Sequence, residues 1–495
     1  MACSCRHDWV SGRAIPFVPS SEQKVCYIYI GSSQLFMRIS MPFSEGVAMR
    51  RMLVVAGLLL LVAVIPSSGC GGGGGGSEGG SSPIPATQSA YVVVAWNDLG
   101  MHCLNPSYDT AVILPPYNTI WAQVIQRGTP PKIVTNGITV EYRIENNTYS
   151  YGKRSYGQFW DNVFALFGVS TLAHDTGLNL EDPNIHNGLS GTMVSKPSGT
   201  NVIADHFQVN GIPVTPVNDS GAWSPYQVAV ITAKDQAGNV LAETRTTVPT
   251  SDEIDCGKCH GPSTDPTVVF TDILQKHDSR ETTTLSSSKP VLCAKCHGSP
   301  ALGQGGRGSS GKYLSEAIHS FHATRGAQCY DCHPGASTSC NRSVRHTSAN
   351  GNCITCHGDI STVGGSITAG RAPWLSEPKC VTCHGGIWDV DTGTVLYRNK
   401  PGHGGVYCAG CHGSPHAMVP SNQPTDNYQA MQYQGAAKTL GDCGVCHATS
   451  RGGGSNFTEE HVAEGKTSAC NICHTGFLNA GNLTNWPHRF EWKAR

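Results

Sequence analysis

Eight copies of the pentapeptide C-x-x-C-H between residues 256 and 474 constrain this chain more than any other feature. They are "CGKCH" (Cys256, Cys259, His260), "CAKCH" (Cys293, Cys296, His297), "CYDCH" (Cys329, Cys332, His333) and "CITCH" (Cys353, Cys356, His357). "CVTCH" (Cys380, Cys383, His384), "CAGCH" (Cys408, Cys411, His412), "CGVCH" (Cys443, Cys446, His447) and "CNICH" (Cys470, Cys473, His474) follow. A zinc ribbon pairs two C-x-x-C units without requiring His after either, and a dithiol oxidoreductase normally carries one unit. Only covalent haem c needs all three residues each time: two thiols add across the porphyrin vinyl groups, and the adjacent imidazole reaches the iron. The expected cofactor is therefore eight covalently attached haems c.

What closes the other side of each iron decides the chemistry, because two protein ligands make an electron carrier and an open position makes a substrate site. From Cys256 onward, eight histidines lie outside the motifs: His277, His319, His322, His346, His403, His416, His461 and His488. They match the irons in number and are the candidate distal ligands, with His102 or His206 able to replace one or two of them. Only Met418 and Met431 lie in this stretch, so bis-His, low-potential haems are expected. In "HSFH", His319 and His322 are three apart on an expected helix and would reach two neighbouring haems from one face.

The stretch from 256 to 495 has thirty residues per haem and few long apolar runs. Porphyrins must then act as its core, wrapped by short helices and loops, and the haem-free chain should not fold there. Gly follows the motif His at Gly261, Gly298, Gly358, Gly385 and Gly413, which suggests a short helix ending at the ligand. "CHGSP" occurs twice, yet first cysteines are spaced 37, 36, 24, 27, 28, 35 and 27 residues apart, too irregular for a solenoid of identical repeats.

Residues 89–252 read differently. "YVVVAW", "ITVEYRI" and "YQVAVITAKDQAGNVLAETRTTV" are β-branched or aromatic runs, the last broken by a turn at "DQAGN". An all-β, sandwich-like domain is expected there, followed by the haem-packed domain over 253–495. Met101, His102 and Cys103 form a turn that either packs into the sandwich or reaches over to cap a haem. His174, His186 and His206 read first as loop or surface residues. Cys103 and Cys340 stand outside the haem motifs and either pair or remain buried free thiols.

"MRRMLVVAGLLLLVAVIPSSGC" at 49–70 has a basic start, thirteen apolar residues and a small-residue end, the pattern of an export signal over 49–69. A retained membrane anchor is the alternative, although thirteen residues span a bilayer poorly. Residues 1–48 read as a mis-called leader, with translation starting at Met49. Cys70, followed by a Gly/Ser tether over 70–88, suits lipidation, although Ser67 stands where Leu or Val is usual; a secreted or periplasmic protein is the alternative. From Cys70 on, 28 Lys/Arg face 32 Asp/Glu, and haem propionates would add negative charge. Nucleic acid, which requires a basic face, is not an expected partner.

The signal, the tether and the eight motifs resemble the multihaem c-type cytochromes of metal-respiring bacteria, such as the outer-surface lipoprotein cytochromes of Geobacter. That resemblance implies a surface protein carrying electrons through close-packed haems to metal oxides or partner cytochromes, with no catalytic residues; some members of those families polymerise into filaments. The alternative is a multihaem oxidoreductase for nitrite, hydroxylamine or a sulfur oxyanion with one open haem.

Overall fold

A computed structural model describes residues 89–448 except 129, 198–202, 336, 347–352 and 385–393. The leader, signal, Cys70 and tether fall outside the described residues, as do Cys470, Cys473, His474, His461, His488 and the side chains of His384 and Cys443.

Two five-stranded sheets build the N-terminal region. The first runs β1 (Tyr91–Trp96), β4 (Asn118–Gln126), β9 (Ala204–Ile212), β8 (Val194–Pro197), with β5 (Lys132–Val134) also on β4. The second runs β2 (His102–Cys103), β11 (Val240–Ser251), β10 (Tyr226–Asp235), β6 (Ile138–Ile144), β7 (Ser190–Thr192). Short β3 (Ala111–Val112) pairs with β12 (Val291–Leu292), so a strand of the β-rich region reaches the haem-motif region. The β10–β11 hairpin turns where Asp235 accepts from the backbone N–H groups of Ala237 and Asn239, at 2.9 and 2.8 Å.

The sheets enclose one core, with Val93, Ile120 and Phe207 from the first against Val140, Ile231 and Val248 from the second. Side chains alternate across a strand, so the other face of β1 presents Val92, Val94 and Trp96 away from that core. These three are also buried, against Tyr397, Tyr407 and Ala409 of the haem-motif region. Burial on both faces explains why "YVVVAW" is a continuous apolar run rather than an alternating one.

Strand β1 lies at an edge of its sheet, where unpaired backbone groups would invite further pairing. The helix Tyr428–Gln434 covers that edge: Tyr433 Oη accepts from Val93 N–H at 3.3 Å and donates to Val93 C=O at 2.6 Å, while Gln429 Oε1 accepts from Ala95 N–H at 2.9 Å. Both regions belong to one compact unit.

Beyond Ser251 the chain turns into short helices and 3₁₀ turns. In order, the described helices are α1 (Gln158–Asp161) and α2 (Val163–Phe167) within the β-rich region, then α3 (Pro266–Glu281), α4 (Leu314–His322) and α5 (Cys353–His357). The series continues with α6 (Ile360–Thr368), α7 (Val381–His384), α8 (Cys408–His412) and α9 (Tyr428–Gln434). Among the described residues, no helix is long and apolar enough to cross a membrane.

Candidate metal centres

Each described motif folds as about one turn of helix. Motifs 1, 2, 3 and 7 are 3₁₀ turns starting at Cys256, Cys293, Cys329 and Cys443; motifs 4, 5 and 6 lie in α5, α7 and α8. In motifs 1 to 3 the His N–H bonds the first Cys carbonyl at 2.9, 3.1 and 2.8 Å. A single turn puts residues i, i+3 and i+4 on one face, so both thiols and the imidazole point the same way. The glycines after the motifs serve two ends. Gly261, Gly358 and Gly413 take left-handed φ angles of 44°, 75° and 85°. Gly298 does not; there a Cβ would lie 2.0 Å from the Gly306 carbonyl oxygen, so close approach excludes a side chain.

The motif faces open on a single cavity of about 3560 Å³. Ordinary ligand pockets hold roughly 300–1,000 Å³, so this space suits several large groups side by side. Thiols or imidazoles of motifs 1 to 7 line it, together with His277, His319, His322, His346, His403 and His416.

Five motif imidazoles face a second imidazole across this space. Ring centroids are 6.2 Å apart for His260 and His322, 6.4 Å for His297 and His277, and 6.1 Å for His333 and His319. They are 6.3 Å apart for His357 and His416 and 6.2 Å for His447 and His403. A metal between two imidazoles, with a bond of about 2.0 Å to each and roughly 1.1 Å from nitrogen to ring centre, separates the centroids by roughly 6.2 Å. The observed spacings therefore fit an iron held from both sides.

Hydrogen bonds at Nδ1 fix which nitrogen faces the metal. His319, His322 and His416 bond through Nδ1 to the carbonyl oxygens of Ser315, Ile318 and Leu99 at 2.7, 2.8 and 2.8 Å. A carbonyl only accepts, so Nδ1 carries the proton and the Nε2 lone pair is left for iron. Nδ1 of His277, His297 and His346 lies 3.0, 2.9 and 3.2 Å from the hydroxyls of Thr283, Ser310 and Ser343. His260 Nδ1 lies 3.1 Å from the Asp272 carboxylate, which also binds Lys276. Burial lowers the pKa of His333 and of His416 to about 4, so both are neutral at pH 7 and able to coordinate.

Haem c fits this donor set: paired thiols and an imidazole from one turn, a second imidazole opposite, and space between. Residues 367–413 match the cytochrome c554 and c-prime family. The matched segment contains motifs 5 and 6 and implies haem c and electron transfer. Among curated proteins, none matches the chain.

The β-rich region supplies parts of the site that the motif pattern did not reveal. The loop after β1 gives the Leu99 carbonyl to His416, and the next carbonyl, Gly100, accepts from Arg342 Nη1 at 2.8 Å. Arg342 is 2% exposed and pairs with Asp426 at 2.8 Å, locking the segment after motif 3 to this loop. Gly410, inside motif 6, lies against β1: a Cβ there would stand 3.3 Å from Val94 and 3.6 Å from Trp96. Asp272 has no sequence mark beyond its place on α3, and Leu99 acts through its backbone, which no residue type encodes.

Of the remaining candidates, His102 lies on the cavity wall, buried, with Nε2 2.9 Å from Asp98 Oδ1. The Asp98 pKa is lowered: burial alone would raise it, but the bonds from His102 and Thr119 outweigh that cost. His206, expected at a loop or the surface, is instead buried on β9, stacked on Trp121 at 4.5 Å, bonded to Asp205 at 2.7 Å and lying behind the cavity-lining Tyr407, whose Oη is 3.3 Å from its Nδ1. His174 stacks on Tyr151 at 3.5 Å, and His186 is exposed. Cys103 and Cys340 are both free thiols; burial and the neighbouring Cys340 raise the Cys103 pKa strongly.

Proposed function

We propose that this protein is an exported octahaem cytochrome that carries electrons through closely packed, bis-His, low-potential haems to extracellular acceptors such as metal oxides, or to partner cytochromes. The observation that carries the reading is the set of five imidazole pairs at 6.1–6.4 Å along one continuous cavity. Bound haem supplies a one-electron couple, and the residues of this chain set what that couple can do. Opposed imidazoles would leave no position for substrate on the irons between them, the Nδ1 partners of His260, His277, His297, His319, His322 and His416 hold those rings in place, and the apolar wall excludes water. A lipid on Cys70 would tether the protein to the outer membrane, and electrons would leave through haem edges at the protein surface.

The alternative is a reductase with one open iron and a nearby proton donor. The buried His102–Asp98 pair on the cavity wall is where that donor would be sought. Carbon monoxide decides between the readings, because it binds a reduced haem only where the sixth position is free. An unchanged visible spectrum of the dithionite-reduced protein after CO, with eight haems counted as pyridine haemochrome, is the expected result. A Soret shift stoichiometric in one haem would favour the reductase.

A further inference from the structure

The order of the motifs along the chain is not their order in space. We infer that six of the described haem sites are strung in the sequence motif 2, motif 1, motif 3, motif 4, motif 6, motif 7, so that among these six the second motif forms an end of the row and the first is internal. This rests on the reading of the imidazole pairs as iron ligands.

Shared elements give each step. Motifs 2 and 1 meet on helix α3, where His277 faces His297 and Asp272, five residues earlier, holds His260. Motifs 1 and 3 meet on α4: His322 faces His260 and His319 faces His333, three residues apart on one helix. The same two motifs also touch directly, since Lys258 of motif 1 pairs with Asp331 of motif 3. Motif 3 reaches motif 4 through α4, which carries His319 and packs on α6, the helix directly after motif 4: Thr368 Oγ1 donates to Glu316 Oε1 at 3.1 Å.

From motif 4 onward the connector is the segment 402–416. His416 faces His357 of motif 4, α8 carries motif 6 itself, and His403 faces His447 of motif 7. Fourteen residues, from His403 to His416, thus supply ligands to three sites and place motif 6 between motifs 4 and 7. Motif 5 flanks that junction: Tyr397 Oη donates to the Gly413 carbonyl beside motif 6 at 2.9 Å, and the Tyr397 N–H bonds Glu377, three residues before Cys380. The connector is held from behind by β1 through Gly410, and by Gln123, whose Oε1 accepts from Tyr407 N–H at 3.0 Å. The β-rich region therefore helps to fix where motif 6 stands.

An electron passing along such a row would cross motif 2 before motif 1, and a break at motif 1 would part motif 2 from the other five sites. Iron positions in the holoprotein, from anomalous diffraction at the iron edge with each haem traced to its cysteines, test the order without reading conduction. The expected result places the motif 1 iron nearer to those of motifs 2 and 3 than those two are to each other, and the motif 6 iron between those of motifs 4 and 7. A motif 2 iron adjacent to that of motif 3, or a motif 6 iron outside the interval, would overturn the order while leaving electron transfer intact. Missing irons would overturn the ligand reading and the order with it. In solution, His322→Met in the holoprotein should shift the haem-methyl resonances of motifs 2 and 3 and leave those of motif 7 in place; the reverse pattern contradicts the order.

Discussion

The two regions of this chain bury apolar surface by different means. Residues 89–252 fill the space between two sheets with their own side chains, as Val93, Ile231 and Val248 show. The stretch from Cys256 on instead arranges thiols and imidazoles around a cavity of about 3560 Å³ and leaves the filling to covalent cofactors. The first kind of core is filled by the chain's own side chains; on the proposed reading the second would depend on haem in the way small metal domains depend on their metal. Strand β1 joins them, since one of its faces belongs to each.

Withholding haem should separate the regions most sharply. In chain made without haem attachment, amides of β6, β10 and β11 are expected to keep hydrogen-exchange protection while those of α3 and α4 lose it. Equal protection throughout would mean that the helical region has a core of its own, and loss in both would make the sandwich equally dependent on haem. Next in size is Arg342→Ala, which leaves Asp426 buried without its partner and should cost about 3–5 kcal/mol in denaturant unfolding of the holoprotein. A loss below 1 kcal/mol would show that this link between the regions is dispensable.

Ile231→Val in the sandwich core should cost about 0.5–1.5 kcal/mol and leave every haem potential unchanged. Asp272→Asn is expected to do the opposite, with little change in stability and a rise in one haem potential on the order of tens of millivolts, because a carboxylate at Nδ1 makes its imidazole a stronger donor. Redox titration of the two variants side by side checks both.

Much of the architecture was legible beforehand. Strand runs such as "ITVEYRI" alternate or stay apolar according to which faces are buried, and they formed the expected sheets. The C-x-x-C-H frame is a local signal because one helical turn suffices to bring its three side chains to one face. The spatial order of the motifs was not legible, because His416 and His403 reach their partners through the tertiary fold and not at a fixed spacing. The contribution of the loop at Leu99 and Gly100 was hidden for a different reason: it is made by carbonyl groups, which every residue has. The matching count of spare histidines did not indicate that His319 would face motif 3 and His322 motif 1.

The central claim is that these imidazoles close irons in pairs of defined orientation. Ring planes are 74° and 82° apart for the pairs at motifs 1 and 2, and 23°, 26° and 33° apart at motifs 3, 4 and 7. Low-temperature electron paramagnetic resonance of the oxidised protein separates the two classes, because near-perpendicular imidazoles give a highly anisotropic low-spin ferric signal and near-parallel ones a rhombic signal. Both signals together, with no high-spin iron, are expected. A dominant high-spin signal would show that the irons are not held between paired histidines.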